Sequence, residues 1–184
     1  MFPFTRLNDF FDSRPLDEVQ LPVVEEQDRQ GLPTAAIELT ANASPPPHDW
    51  FVKSKQWKPA IQAYLVSVSF TDAQVGRLLD ALDASPNRDN TIVVLFSDHG
   101  FHLGEKQRWA KQSLWERSTR VPLIISVPNG LRDGTCSRPV ELLSLYPTLV
   151  DLWGVPAKAE LEGDSLRPLL QTPEASWERP AITT

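Results

Sequence analysis

The sequence predicts an α/β fold, and three stretches predict it. One is a three- and four-residue apolar repeat over residues 56–85; the others are short, continuously apolar runs at residues 91–96 and 121–127. Alternation of a helix-period pattern with buried-strand patterns is the order of α/β proteins.

Taken in order, residues 1–50 are loop-rich, with Pro3, Pro15, Pro22, Pro33 and the run Pro45-Pro46-Pro47. Proline fixes φ and removes a backbone donor, so long regular elements are not expected there. Such a stretch wraps a surface or shapes a pocket. The chain therefore divides into a proline-rich wrapping segment, 1–55, and a main portion, 56–184. In the second stretch Ile61, Tyr64, Leu65, Val68, Val75, Leu78, Leu79 and Leu82 share one helical stripe. Asp72 falls on that stripe and reads as a bend near Phe70-Thr71 or a solvated edge, the alternative being a specific polar contact. Ser85-Pro86-Asn87 stops the helix.

Residues 91–96 are rich in β-branched side chains and suit a strand buried on both faces, as in a parallel sheet. Residues 121–127 form a second such run, with Pro122 at its start, where a ladder donor is least missed. Residues 142–153 read as a helix with Leu145, Leu149 and Leu152 on one face and Gly154 as its stop. Residues 166–170 read as one more helical turn. Two buried strands make too small a sheet to be covered on both faces, so the pattern reads as that of a partial domain.

Composition narrows the function classes. Of 184 residues, 41% are hydrophobic and 23% charged, a globular profile. The net charge of -6 argues against general nucleic-acid binding, which needs a basic surface. A small cationic pocket for an anionic substrate remains compatible with it. No run reaches the roughly 18 apolar residues of a membrane span, and the first residues do not have the basic-then-apolar pattern of a signal peptide. Cys136, the sole cysteine, allows no intrachain disulfide; Asp133-Gly134-Thr135-Cys136-Ser137 reads as a turn holding an inert thiol.

The chemistry concentrates in Ser97-Asp98-His99-Gly100-Phe101-His102-Leu103-Gly104-Glu105, which begins where the better strand ends. Ligand sites in open α/β sheets lie beyond the carboxyl ends of strands. Asp98 offers a hard anionic oxygen and His99 a neutral nitrogen, a pair suited to a cation. Gly100 lets the backbone turn tightly behind them. Two adjacent ligands leave a coordination sphere incomplete, so others must come from elsewhere. Taken alone, the tripeptide also suits an Asp capping a turn beside a surface His.

Downstream lie Trp109-Ala110-Lys111-Gln112-Ser113-Leu114-Trp115-Glu116 and Thr119-Arg120-Val121-Pro122-Leu123-Ile124. The whole arrangement resembles the sulfatase branch of the alkaline phosphatase-like superfamily. In that branch a strand ends in S-D-H-G, then come L-G-E, a tryptophan, a lysine and R-V-P-L-I. The arrangement also resembles members like iduronate-2-sulfatase. They share a helix like Ala63-Tyr64-Leu65-Val66-Ser67-Val68-Ser69-Phe70 and a stretch like Pro139-Val140-Glu141-Leu142-Leu143-Ser144-Leu145-Tyr146-Pro147-Thr148-Leu149. The similarity runs from about Phe4 to Thr184.

The resemblance implies a three-layer α/β/α sandwich, present here in part. It implies that Asp98 and His99 are the family's late pair of metal ligands, usually for calcium. It also makes Lys111 a catalytic contact to the sulfate group and its bridging oxygen, where an ammonium offsets charge on the leaving oxygen. Outside that frame Lys111 is an ordinary solvated lysine. His102 either lines the pocket as a substrate contact or is a packed loop histidine. Glu105 is expected to brace the loop. Arg108, Arg117 and Arg120 are candidates for a second anionic group, such as a sugar carboxylate, or plain surface charges.

The family's other motif, C/S-x-P-S-R, whose Cys or Ser becomes the formylglycine nucleophile, does not occur in the sequence, nor does the adjacent aspartate pair that completes the metal site. Cys136 is followed by Ser137-Arg138-Pro139, the wrong order and place. Met1-Phe2-Pro3-Phe4 resembles the end of a K-P-H-x-P-F segment with its substrate-contacting histidine replaced, and both ends read as cut. The expected function is therefore that of a piece of a sulfuric ester hydrolase acting on sulfated carbohydrate, with a parent that is exported or lysosome-like. The competing readings are a piece of a related phosphodiesterase or phosphonate hydrolase, and a short product that binds an anion or a partner without turnover. An isolated half-sheet is expected to aggregate and to lack sulfatase activity.

Overall fold

The computed structural model describes residues 7–38, 45–130 and 133–183. The segment Met1-Phe2-Pro3-Phe4 lies outside the described residues. In chain order the elements are α1 (Leu7–Asp12), α2 (Thr34–Glu38), α3 (His48–Lys53), α4 (Trp57–Asp83), β1 (Val93–Phe96), β2 (His102–Leu103), β3 (Trp109–Ala110), α5 (Glu116–Thr119), β4 (Leu123–Ser126), α6 (Leu145–Trp153) and α7 (Arg167–Gln171). Two compact units share them. One comprises residues 1–88 and 99–120, the other 89–98 and 121–184.

The first unit is organised by α4, which runs without interruption through the expected span. Pro59 sits in its first turn, where a missing N–H costs little. Asp72 is exposed on a continuous helix, so it is a solvated edge and the helix does not bend there. Of the expected stripe Ile61 is buried, while Val68, Leu78 and Leu79 are exposed; Val66, off that stripe, is the helix's other buried position. The helix ends as Ala84 N–H bonds Asp80 O, with the Ser85 hydroxyl donating to Leu82 O.

The proline-rich segment lies along this helix in short pieces. Phe10 of α1 meets Phe70 edge to face, 5.5 Å between centroids. Gln62 Nε2 donates to Arg14 O at 2.7 Å, and Lys58 Nζ to Asp17 O at 2.8 Å. Val19, Ile61 and Trp109 form a core against Phe51, Trp57, Leu65, Phe101 and Leu103. Within it the Phe51 and Trp109 rings stack at 3.9 Å. His48 is buried between Trp57 and Trp109 and accepts the Trp109 indole N–H at 3.2 Å. Gly104 at φ 129° closes this region, since a Cβ there would stand 2.7 Å from the His48 ring. The core therefore carries the loop with β2 and β3, paired as His102↔Ala110 and Leu103↔Trp109.

The second unit holds both expected strands, and here the structure corrects the sequence. β1 and β4 pair antiparallel, with Val94 opposite Ile125 and Phe96 opposite Leu123. None of their residues is fully buried: Phe96 is 50% and Ile124 61% exposed. Directly opposed residues share a face, so Phe96 and Ile124 open opposite faces of the ribbon. The apolar runs are composed for a sheet covered on both sides, and the described residues supply no such cover. Pro122 lies just before β4, where its missing donor is harmless. A 3-10 turn at Leu142–Ser144 leads into α6, which ends on Gly154 in the left-handed region, φ 66°. Thr148 of α6 is fully buried. Its hydroxyl donates to Ser144 O at 2.6 Å and accepts Leu166 N–H at 2.8 Å, tying α7 to α6.

Candidate functional site

Strand β1 ends at Phe96, and Asp98 follows two residues later with an exposed carboxylate. This is the position beyond a strand's carboxyl end at which ligands of open sheets collect. Asp98 closes its unit, and the remaining candidates, His99 to Arg120, fall in the other.

His99 is half-buried, and its Nδ1 faces Gly100 O at 2.8 Å. A carbonyl only accepts, so in the neutral ring Nδ1 carries the proton and Nε2 the lone pair. That is the tautomer a metal-ligating imidazole adopts when its other nitrogen is held by a carbonyl. Gly100 is required by close approach. A Cβ would stand 2.1 Å from Arg117 O, and Gly100 N–H donates to Ser118 O at 2.7 Å.

His102 is 1% exposed, with both ring nitrogens engaged inside the loop. Nδ1 meets Glu105 O at 3.1 Å, and Nε2 meets Ser113 Oγ at 3.0 Å. Ser113 Oγ lies 2.8 Å from Ser118 Oγ. Burial pushes the His102 pKa down, outweighing the Glu105 carbonyl and carboxylate, which raise it. The ring is built into the loop and burial favours its neutral form, which is the packed-histidine alternative. Glu105 braces the same loop: its carboxylate accepts Leu103 N–H at 2.8 Å and pairs with Arg117 at 3.3 Å.

Lys111 follows Ala110, which sits at φ 63°, and Lys106 and Gln107 are also left-handed, at 55° and 57°. Non-glycine residues there are strained and persist only where surroundings over-determine them. The surroundings are visible. Lys106 N–H donates to Asp28 Oδ2 at 2.7 Å, and its ammonium reaches Asp28 O and lies 5.7 Å from the Trp115 ring centroid. Buried Arg108 donates from Nη2 to Gln112 O at 2.7 Å. Lys111 itself projects into solvent, between the two pinned residues Arg108 and Ser113.

The three arginines separate by role. Arg117 pairs with Glu105 and Arg120 with Glu116, both at exposed positions. Arg108 is 7% exposed, and its buried Nε has no hydrogen-bond partner. Burial lowers its pKa, with the like charge of Arg29 adding to the effect. Ser113, Ser118, His48 and Asp28 escaped the sequence reading. Asp28 lies far from the motif in sequence, and small hydroxyl residues give no periodic signal. Among the described residues, no cluster of three or more His, Cys, Asp and Glu side chains is gathered to hold a metal. Asp98 and His99 are thus at most part of a coordination sphere. Cys136 is exposed with a free thiol. No helix of the described residues is long and apolar enough to cross a membrane.

Comparisons with known proteins bear on this arrangement. The family model described as Sulfatase matches residues 19–155. A protein from Formosa agariphila described as a sulfatase is 43% identical over 175 residues, covering 95% of this chain and 34% of its own. Human iduronate 2-sulfatase is 35% identical over 156 residues, covering 69% of this chain and 26% of its own. A solved structure of a protein in complex with its substrate D-glucosamine-2-N,6-O-disulfate matches with TM-score 0.61 and 36% identity, over 65% of this chain and 24% of that one. The chain spans about a third or less of the length of these proteins.

Proposed function

Because this chain belongs to the sulfatase family, we propose that it is the portion of a sulfuric ester hydrolase that supplies Asp98 and His99 to a divalent cation and Lys111 to the sulfate group. The observation that carries the reading is the order of parts after β1. The exposed carboxylate of Asp98 comes first, then an imidazole with its lone pair on Nε2, then a strained, pinned loop presenting an exposed ammonium.

The donor chemistry fits a divalent ion. A carboxylate is a hard donor that suits calcium, and an imidazole nitrogen is accepted alongside oxygen ligands. Calcium follows from the family resemblance; among the described residues no group of three or more His, Cys, Asp and Glu side chains completes the sphere. A cation bound there would polarise a sulfate oxygen as a Lewis acid. Lys111 would offset negative charge growing on the bridging oxygen as the ester bond breaks. No C/S-x-P-S-R segment occurs in the 184 residues, so the formylglycine nucleophile comes from elsewhere.

The substrate class is a sulfated carbohydrate, supported by relatives whose names specify iduronate 2-sulfate chemistry and a disulfated glucosamine. The test is a panel of sulfate esters and phosphonate esters offered to the full gene product, with the isolated 184-residue chain alongside. Sulfate release from a sulfated sugar by the full product alone is expected. Preferential phosphonate cleavage would move the chain to a related hydrolase, and turnover by the isolated chain would place the nucleophile within it.

A further inference from the structure

Ser113 and Ser118 have no role in the reading above, yet they occupy the centre of the loop. Ser118 is 5% exposed and acts twice: its carbonyl accepts Gly100 N–H at 2.7 Å, and its hydroxyl lies 2.8 Å from Ser113 Oγ. Ser113 Oγ in turn lies 3.0 Å from His102 Nε2. With the ring neutral, the direction of each proton follows. Glu105 O only accepts, so His102 Nδ1 donates and Nε2 accepts. Ser113 spends its one proton on Nε2, so Ser118 donates to Ser113. A neutral ring satisfies every partner with none left over, and burial lowers the His102 pKa in the same direction.

We propose that Ser113 and Ser118 are positioning residues: with His102 they form a buried hydroxyl–imidazole relay that fixes the backbone carrying Lys111 relative to the turn carrying His99. One end of the relay is the residue after His99, held through Ser118. The other is the segment around Lys111, held at Ser113 and, through Arg108, at Gln112. Such buried polar chains rigidify a single geometry when every member is satisfied. The inference rests on the assignment of His99 and Lys111 as metal and sulfate contacts.

The test uses the isotopically labelled full gene product, and Ser113→Ala, Ser113→Thr and Ser118→Ala variants of it. Ser118→Ala keeps the carbonyl that holds Gly100 and removes only the hydroxyl. In the unsubstituted chain, the nitrogen resonances of His102 show the Nδ1–H tautomer. In Ser113→Ala the Nε2 resonance shifts as its hydrogen bond is lost while Nδ1 stays on Glu105 O, and in both alanine variants amide exchange at Gly100 accelerates by about fivefold to tenfold, the weight of one network hydrogen bond. Ser113→Thr restores both. Gly100 exchange unmoved in both alanine variants would overturn the relay. Binding of inorganic sulfate is read in parallel on Lys111→Ala. If that variant binds sulfate as the parent does, the assignment of Lys111 falls, while Gly100 exchange still decides the relay.

Discussion

Gly100 and Ser118 meet backbone to backbone, the Gly100 N–H donating to the Ser118 carbonyl at 2.7 Å. The adjacent Arg117 carbonyl stands where a side chain at position 100 would begin, 2.1 Å from an ideal Cβ. Backbone cannot step aside as a flexible side chain can. Gly100→Ala is therefore expected to destabilise the chain by about 1–3 kcal/mol, the usual range for overpacking. Urea unfolding of the variant measures it, and an unchanged midpoint would refute the close approach.

Two buried histidines set the acid limb of stability. His48 and His102 both have pKa values below the ordinary 6.5, chiefly because burial disfavours the charged ring. Below pH 6.5 the unfolded chain takes up protons that the folded chain refuses. Stability therefore falls as pH drops and is level above about 6.5, with a slope of up to about 1.4 kcal/mol per pH unit for each ring. Denaturant melts between pH 5 and 7.5 measure the slope. Stability that is flat or rising toward pH 5 would contradict it. His102→Asn should flatten part of it.

Thr148 holds α7 to α6 through one hydroxyl that donates to Ser144 O and accepts Leu166 N–H. Thr148→Val keeps the shape and strands a buried N–H, so a loss of about 1–3 kcal/mol is expected. A variant as stable as the parent would show that Leu166 N–H finds another partner.

What was legible in the sequence follows from the range of the forces involved. Helix α4 and the Gly154 stop are local: periodicity and a left-handed cap suffice, and both appear where expected. The turn after β1 was legible for the same reason. The pairing of β1 with β4 was not. Apolar composition reports the cover a strand is built for and says nothing of direction, so antiparallel pairing could not be read from it. The histidine of the motif was legible as a residue, while its embedding was not. That depends on Ser113 and Ser118, whose hydroxyls matter only once the loop has folded back.

The β1–β4 ribbon leaves Phe96 and Ile124 exposed on opposite faces, and Leu143, Tyr146 and Trp153 are exposed in the same unit. Unpaired strand edges with apolar faces invite association. The isolated chain is expected to bind a hydrophobic dye and to self-associate in a concentration-dependent way. Phe96→Lys combined with Ile124→Lys should reduce both. A monomeric, cooperative melt of the unsubstituted chain would contradict this and favour a standalone binding role.

Lys111, exposed on its pinned loop, is the proposed sulfate contact. The direct measurement is the rate of sulfate release from a sulfated carbohydrate by the full gene product, compared with its Lys111→Ala variant. Because Lys111 is exposed, the melting temperature should be unchanged. The turnover number should fall by roughly 10²–10³, the scale of removing one transition-state stabiliser. Unchanged turnover with unchanged melting would contradict the assignment.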